Sequence, residues 1–271
     1  MNPEQVLEKI ANNRKQYEFI STGFPKLDGL LDGGFLKKEL VVVGGSTGVG
    51  KSFLAIHFAD KASSNGFKTG YFTLEISNEL VISRMIAMRA NIKASHILYG
   101  MYDKGDVEYN KALGHVLGLR ELFHTHDLIY EVNEMTEVIK QQQYDFVVID
   151  FIQNIMANRP DSYERLSYVA LHLQRLAKEA NTGILILSQL SNQVASAKNE
   201  DRPLEYKGSG SIATVADLGF FLHPVQTDET ALLPKENTFY YDLLLHKNRR
   251  GRSRVSTTLQ VVYPGGGFSE V

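Results

Sequence analysis

The sequence predicts an α/β fold, a mostly parallel sheet with helices packed on both faces, on three observations. Short apolar runs alternate with helical stretches along nearly the whole chain, the pattern of βαβ units. Several runs are apolar at consecutive positions, as expected of strands covered on both faces. A glycine-rich turn at residues 45–52 joins one such run directly to a helical stretch, the junction at which parallel sheets hold phosphates.

In chain order, residues 3–17 read as a short helix whose sizeable apolar side chains are Val6, Leu7, Ile10 and Tyr17. That stripe is too thin to hold a domain, so the segment is expected to dock on something else. A glycine-rich lead follows, from Ser21 to Leu40, and feeds a strand at 39–44. Further strands are expected at 69–74, 145–149, 183–187, 217–222 and 239–246, with helices at 51–65, 78–90, 106–119, 131–143 and 163–180 between them. The polar stretch 191–211 reads as a loop. No internal repeat or low-complexity tract interrupts this order.

Composition narrows the function classes. At ~100–200 residues per domain, 271 residues make one large domain with at most a short appendage. The absence of cysteine excludes disulfides, thiolate metal sites and a cysteine nucleophile, and fits a reducing cytoplasm. No apolar run approaches the ~18–20 residues of a membrane span, and the first residues hold no apolar signal core. With 29 basic and 31 acidic side chains the net charge is -2, which argues against wholesale coating of nucleic acid but leaves room for a local basic groove.

The strongest chemical signal is Gly45-Ser46-Thr47-Gly48-Val49-Gly50-Lys51-Ser52. It matches G-x-x-x-x-G-K-[ST] and lies between a strand and a helix, where its backbone N–H groups and the helix N-terminus converge on phosphate oxygens. Lys51 is placed to neutralise the β- and γ-phosphates and Ser52 to ligate Mg²⁺, so ATP and Mg²⁺ are the expected cofactors. Such a site needs a second acid on the metal side, and Asp150 ends the apolar run Phe146-Val147-Val148-Ile149. Glu75 ends another run. Spacing alone leaves it either as the carboxylate that activates water or as a residue preceding a helix capped by Ser77.

Gln189 follows the run Ile184-Leu185-Ile186-Leu187-Ser188 and is either a γ-phosphate sensor or a polar strand end. Lys247 and Arg249, two apart in a stretch with five basic residues and no acid, point the same way. They fit either an arginine-finger pair acting on a neighbouring subunit's nucleotide or a basic hairpin. His124 and His126 alternate on an expected strand with no partner cluster, so they read as strand histidines and not as metal ligands. Most Tyr and Phe residues read as core; Tyr206 beside Lys207 is kept open as a base-stacking side chain.

Together these segments resemble the ATPase domain of DnaB-type replicative helicases, in the RecA-like P-loop class. The resemblance runs from about residue 21 to about residue 259. It is carried by Thr22-Gly23-Phe24 with Leu27-Asp28, Gly33-Gly34 and the P-loop, and by Phe72-Thr73-Leu74-Glu75-Ile76. It continues through Asp150-Phe151-Ile152-Gln153, Leu187-Ser188-Gln189-Leu190-Ser191, Arg202-Pro203 with Gly208-Ser209-Gly210-Ser211-Ile212 and Ala216-Asp217, and Lys247-Asn248-Arg249-Arg250-Gly251. By that resemblance Glu75 is the catalytic base, Gln189 the sensor, and Lys247 and Arg249 the trans-acting pair. Lys207, Gly208, Ser209 and Gly210 become a single-stranded-DNA contact lining a central channel. The sequence departs from the family where Arg-Glu-Ser-Gly is replaced by Lys207-Gly208-Ser209-Gly210, and where Lys37-Lys38 precedes the P-loop strand.

The resemblance implies a cytoplasmic, hexameric ATP-driven helicase of bacterial or phage type that moves on single-stranded DNA, with a loader or primase as further partner. Residues 1–20 are expected to form a linker-type helix and 21–271 the ATPase domain. Nothing matches the family's N-terminal helical domain, which leaves an excised ATPase domain and a minimal helicase both open. A RecA-like ATP switch that binds single strands without unwinding is the competing function.

Overall fold

The computed structural model describes residues 2–12, 18–190, 206, 210–225 and 237–271. The described part of the N-terminal segment is helix α1 (Pro3–Asn12), with Val6 and Leu7 exposed. Strand β1 (Phe19–Ile20) pairs antiparallel with β2 (Phe35–Leu36), and helix α2 (Pro25–Leu30) lies between them. The Asp28 carboxylate knots this lead together, accepting from Ser21 Oγ at 2.5 Å, Thr22 N at 2.8 Å and Thr22 Oγ1 at 2.6 Å. These are the Ser-Thr-Gly-Phe and Leu-Asp residues of the lead, so their role is to close the entry to the core.

Strand β3 (Leu40–Gly45) leads through the P-loop into α3 (Lys51–Ser64), followed by β4 (Thr69–Thr73), α4 (Asn78–Ala90), α5 (Ala94–Leu98) and α6 (Val107–Gly118). Then come β5 (Phe123–His126), α7 (Val132–Gln142), β6 (Phe146–Asp150), α8 (Ser162–Glu179) and β7 (Gly183–Gln189). A short helix α9 (Gly210–Val215) precedes β8 (Leu218–Pro224), β9 (Thr238–Asn248), β10 (Val255–Val262) and β11 (Gly267–Glu270). The main sheet has the order β11-β10-β9-β8-β3-β7-β6-β4-β5. Six strands from β8 to β5 run parallel, and β9, β10 and β11 extend the sheet as an antiparallel meander.

Successive side chains of a strand point to opposite faces, and the central strands are buried on both. Val41, Val43, Phe146, Val148, Leu185 and Leu187 join the core beneath α3 and α4. Leu40, Val42, Val147, Ile149, Ile184 and Ile186 join the core beneath α7, α8 and α9. The doubly apolar runs of the sequence therefore have their cause in a three-layer sandwich. The expected strands and the five longer helices are present, with boundaries that differ by at most two residues.

The stretch expected as a loop, 191–211, lies largely outside the described residues. Its described positions depart from that expectation: Gly210 and Ser211 open α9, and Tyr206 is 3 % exposed, its ring stacked on Phe221 at 4.9 Å. Tyr206 is therefore core and not a base-stacking side chain. His124 Nδ1 and His126 Nε2 lie 3.1 and 2.8 Å from the Tyr144 hydroxyl, so both are structural.

Candidate nucleotide site

The parallel strands all end on one edge of the sheet, and that edge carries the chemistry. Open α/β sheets bind ligands outside the carboxyl ends of their strands. β3 ends in the P-loop, β4 leads through Leu74 to Glu75, β6 ends at Asp150 and β7 at Gln189. With β7, β6 and β4 following β3 in the sheet order, four segments far apart in sequence meet around one cleft. A cavity of about 360 Å³ is lined there by Lys51, Ser52, Glu75, Arg84, Asp150 and Gln189, among others.

Within the P-loop, Gly48 and Gly50 have φ of 79° and 97°, a left-handed backbone that disfavours any Cβ. That curl turns the loop toward the start of α3. The Lys51 ammonium is held by the loop itself, donating to the carbonyls of Gly45 and Ser46 at 2.9 Å each. Burial lowers its pKa, against the attraction of Asp150 and Glu75. The cation is thus held over the P-loop by two of the loop's own carbonyls.

Asp150 is 2 % exposed. Its carboxylate accepts from the Tyr71 hydroxyl at 3.0 Å and from the Ser52 side chain. Burial still raises its pKa above the usual aspartate value, although both hydrogen bonds pull the other way. One hydroxyl and one carboxylate side by side suit Mg²⁺, which keeps several waters and takes its remaining ligands from phosphates. No cluster of three or more His, Cys, Asp or Glu able to hold a metal by itself exists among the described residues. Glu75 is exposed at the cleft mouth, within reach of water.

The turn after Asp150 sets the neighbouring strand ends. Gln153 Nε2 donates to Ser188 Oγ at 2.9 Å, and its Oε1 accepts from the Gln189 amide at 3.4 Å. Asn154 Nδ2 donates to the Leu74 carbonyl at 2.9 Å, one residue before Glu75. One short turn thus fixes both Gln189 and Glu75 relative to Asp150. Arg84 is a site residue that the sequence did not single out. Its guanidinium lies 4.6 Å from the Phe53 ring centroid and faces the cleft from α4. The signal in the sequence is faint: an arginine nine residues after Glu75, on a helix that also carries other charges.

Lys247 and Arg249 stand elsewhere. Leu218 pairs with Val41 on one side and Asn248 on the other, so the end of β9 is level with the start of β3. Five residues at ~3.3 Å each, roughly 16 Å, separate that level from the P-loop. The pair is brought together with α9, not with its own chain's P-loop: Lys247 Nζ donates to the Ala213 and Thr214 carbonyls at 2.7 Å each. Arg249 donates to Asp217 Oδ1 and the Thr214 carbonyl, both at 2.9 Å. Of the expected DNA-contacting residues, Lys207, Gly208 and Ser209 lie outside the described residues, and Gly210 is the first residue of α9.

A parallel sheet in this order, with a P-loop, a buried strand-end aspartate and a strand-end glutamine on one edge, defines a RecA-like P-loop nucleotide-binding core. Two solved structures share the fold. One, an ATPase domain, aligns at TM-score 0.81 and 21% identity over 99% of this chain and 96% of that one. The other, a DnaB-like replicative helicase studied for its interactions with primase, aligns at 0.82 and 21% over 99% of this chain and 67% of that one. The family model for the DnaB-like helicase C terminal domain matches residues 20–263, and the chain belongs to that family. Replicative DNA helicase DnaB of Mycoplasma genitalium is 30% identical over 265 residues, 92% of this chain and 56% of that protein. Its counterpart in Treponema pallidum is 29% identical over 243 residues, 84% of this chain and 53% of that protein. The chain thus spans about half the length of these relatives.

Proposed function

We propose that this chain is the ATP-hydrolysing motor of a ring-shaped, hexameric replicative helicase that moves on single-stranded DNA. The observation that carries the reading is the separation of the two halves of one ATP site. The P-loop, Ser52, Asp150, Glu75 and Gln189 line one edge of the sheet, while Lys247 and Arg249 end a strand on the opposite edge. Two copies of the chain set side by side make one complete site, and a closed ring makes one at every boundary.

In that site Lys51 leaves the Gly45 and Ser46 carbonyls to pair with the β- and γ-phosphates, and the P-loop amides hold the remaining oxygens. Ser52 and Asp150 hold Mg²⁺, which when bound supplies neutralisation of phosphate charge. Glu75 takes a proton from the water whose oxygen bonds to the γ-phosphorus as the bond to the bridging oxygen breaks. Gln189 senses the γ-phosphate, and Lys247 and Arg249 of the neighbouring subunit stabilise the charge that develops on it. Lys207, Gly208, Ser209 and Gly210 contact the strand through its phosphates, which makes binding blind to sequence and steeply salt-dependent. Likeness to a helicase studied with primase supports a primase as partner. A cytoplasmic setting fits bacterial relatives and the lack of any described helix long and apolar enough to cross a membrane.

The test is strand separation of forked DNA carrying a 5′ or a 3′ tail, with Lys51→Ala as control. Unwinding of one fork only, abolished by the substitution, is the expected result. Hydrolysis stimulated by single strands without opening of either fork replaces the motor by an ATP switch.

A further inference from the structure

A helix leaves its last carbonyls without intrahelical partners, and at α9 those carbonyls are occupied by an unusual set. The Ala213 carbonyl accepts from Lys247, the Thr214 carbonyl from both Lys247 and Arg249, and the Val215 carbonyl from Gln174 Nε2 at 2.7 Å. The two finger cations are therefore the C-cap of α9, where positive charge is favoured. Asp217, two residues beyond α9 and 9 % exposed, completes the arrangement. Its Oδ1 accepts from Arg249 and its Oδ2 from the Leu40 amide at 3.0 Å, at the start of the P-loop strand. The backbone repeats the tie: the Arg249 amide donates to the Asp217 carbonyl at 3.0 Å, and the Asp217 amide to the Leu40 carbonyl at 2.9 Å.

We propose that Asp217 is a positioning residue for the finger pair: with the terminal carbonyls of α9 it forms a dock that holds Lys247 and Arg249 on their own subunit until a neighbour's nucleotide draws them away. The inference rests on the trans-finger reading above and adds a consequence to it. A cation cannot satisfy the α9 carbonyls and a γ-phosphate on another subunit at once. Engagement therefore uncaps α9, and capping of α9 opposes engagement. Since α9 begins at Gly210, the last residue of the proposed strand-contacting segment, the dock couples nucleotide at a subunit boundary to that segment through one short helix. It also makes resting hydrolysis slow in the absence of DNA.

Asp217→Asn in the full chain tests this. An amide oxygen still accepts from the Leu40 amide, while the charge that holds Arg249 is gone. Hydrolysis without DNA should rise roughly two- to fivefold, the range that a partly exposed ion pair sets. The rate at saturating single strand should stay within about twofold of the parent, so the DNA stimulation factor shrinks, and Asp217→Glu should restore it. Unchanged DNA-free hydrolysis, or an equal fall with and without DNA in a variant that melts like the parent, overturns the dock. Should Asp217→Asn not fold, amide exchange over residues 211–217 of the parent decides. A non-hydrolysable ATP analogue with Mg²⁺ should accelerate it, and no change overturns the proposal. Mixing Arg249→Ala with Lys51→Ala subunits separates the two readings. Recovered hydrolysis with a flat Asp217→Asn response removes the dock alone; no recovery at any ratio removes the finger reading and the dock with it.

Discussion

Replacing Asp150 by asparagine sets stability against function at one atom. The carboxylate is 2 % exposed, and burial outweighs the hydrogen bonds from Tyr71 and Ser52, so its native pKa is raised above the ordinary aspartate value of 3.8. A raised carboxyl pKa means that the native state prefers the proton. The stability it contributes is complete below pH 3.8 and is lost as pH rises through the native value. At neutral pH the ionised group is a liability that an amide of the same shape lacks. The amide oxygen keeps the Tyr71 hydrogen bond at 3.0 Å, while the attraction to Lys51 disappears. The net gain is about 1 kcal/mol, within the range common for relieving functional strain, or about 2–4 °C in Tm for a chain of this size.

With Mg²⁺ and an ATP analogue at about a hundred times the parent's Kd the order reverses. The parent gains about 2.7 kcal/mol by linkage, whereas the variant lacks the carboxylate proposed to hold the metal. Thermal melts at neutral pH with and without ligand read both effects, and a pH series should show the ligand-free gap closing as pH falls toward 3.8. A variant that melts below its parent without ligand, or that keeps the parent's ligand-induced shift, refutes the reasoning.

Three further outcomes are expected. Arg84→Ala removes the guanidinium from the cleft and from the Phe53 ring at 4.6 Å; KM for ATP should rise about tenfold, near 1.4 kcal/mol, with Tm little changed. Glu75→Gln should lower kcat by about 10²–10⁴ while an analogue titration shows nucleotide binding retained. Tyr206→Phe deletes a buried hydroxyl without a hydrogen-bond partner among the described residues and keeps the stack on Phe221. Removing an unsatisfied hydroxyl recovers its desolvation cost, about 1 kcal/mol at the low end, so the melting point should rise; a fall of several degrees would show that the hydroxyl is satisfied.

What was legible in the sequence is what is local in the chain. The P-loop is eight consecutive residues that match one motif, and Asp150 ends a run of four apolar residues that announces its own strand. Strand and helix alternation follows from periodicity, and it placed the parallel strands of the sheet, with β5 marked only by its alternating histidines. The resemblance to DnaB-type helicases drew on the order of short segments, which is also a property of the chain alone, and the family match over residues 20–263 bears it out.

Tertiary structure decided the rest, because it depends on which distant residues become neighbours. That β9 lies antiparallel beside β8, and so carries Lys247 and Arg249 to the edge opposite the P-loop, is a matter of strand pairing that no local pattern specifies. Arg84 enters the cleft only because α4 packs beside α3 and over Phe53. Tyr206 is surrounded by polar sequence yet lies in the core, since Gly44 and Gly219 leave its ring room between β3 and Phe221. Asp217 reads as the first residue of an expected strand until the Leu40 amide at the start of β3 and Arg249 at the end of β9 are seen to meet on its two oxygens. The chain's local order determined which chemistry it holds; the sheet's long-range pairing determined which parts of that chemistry face one another within a subunit and which are kept apart.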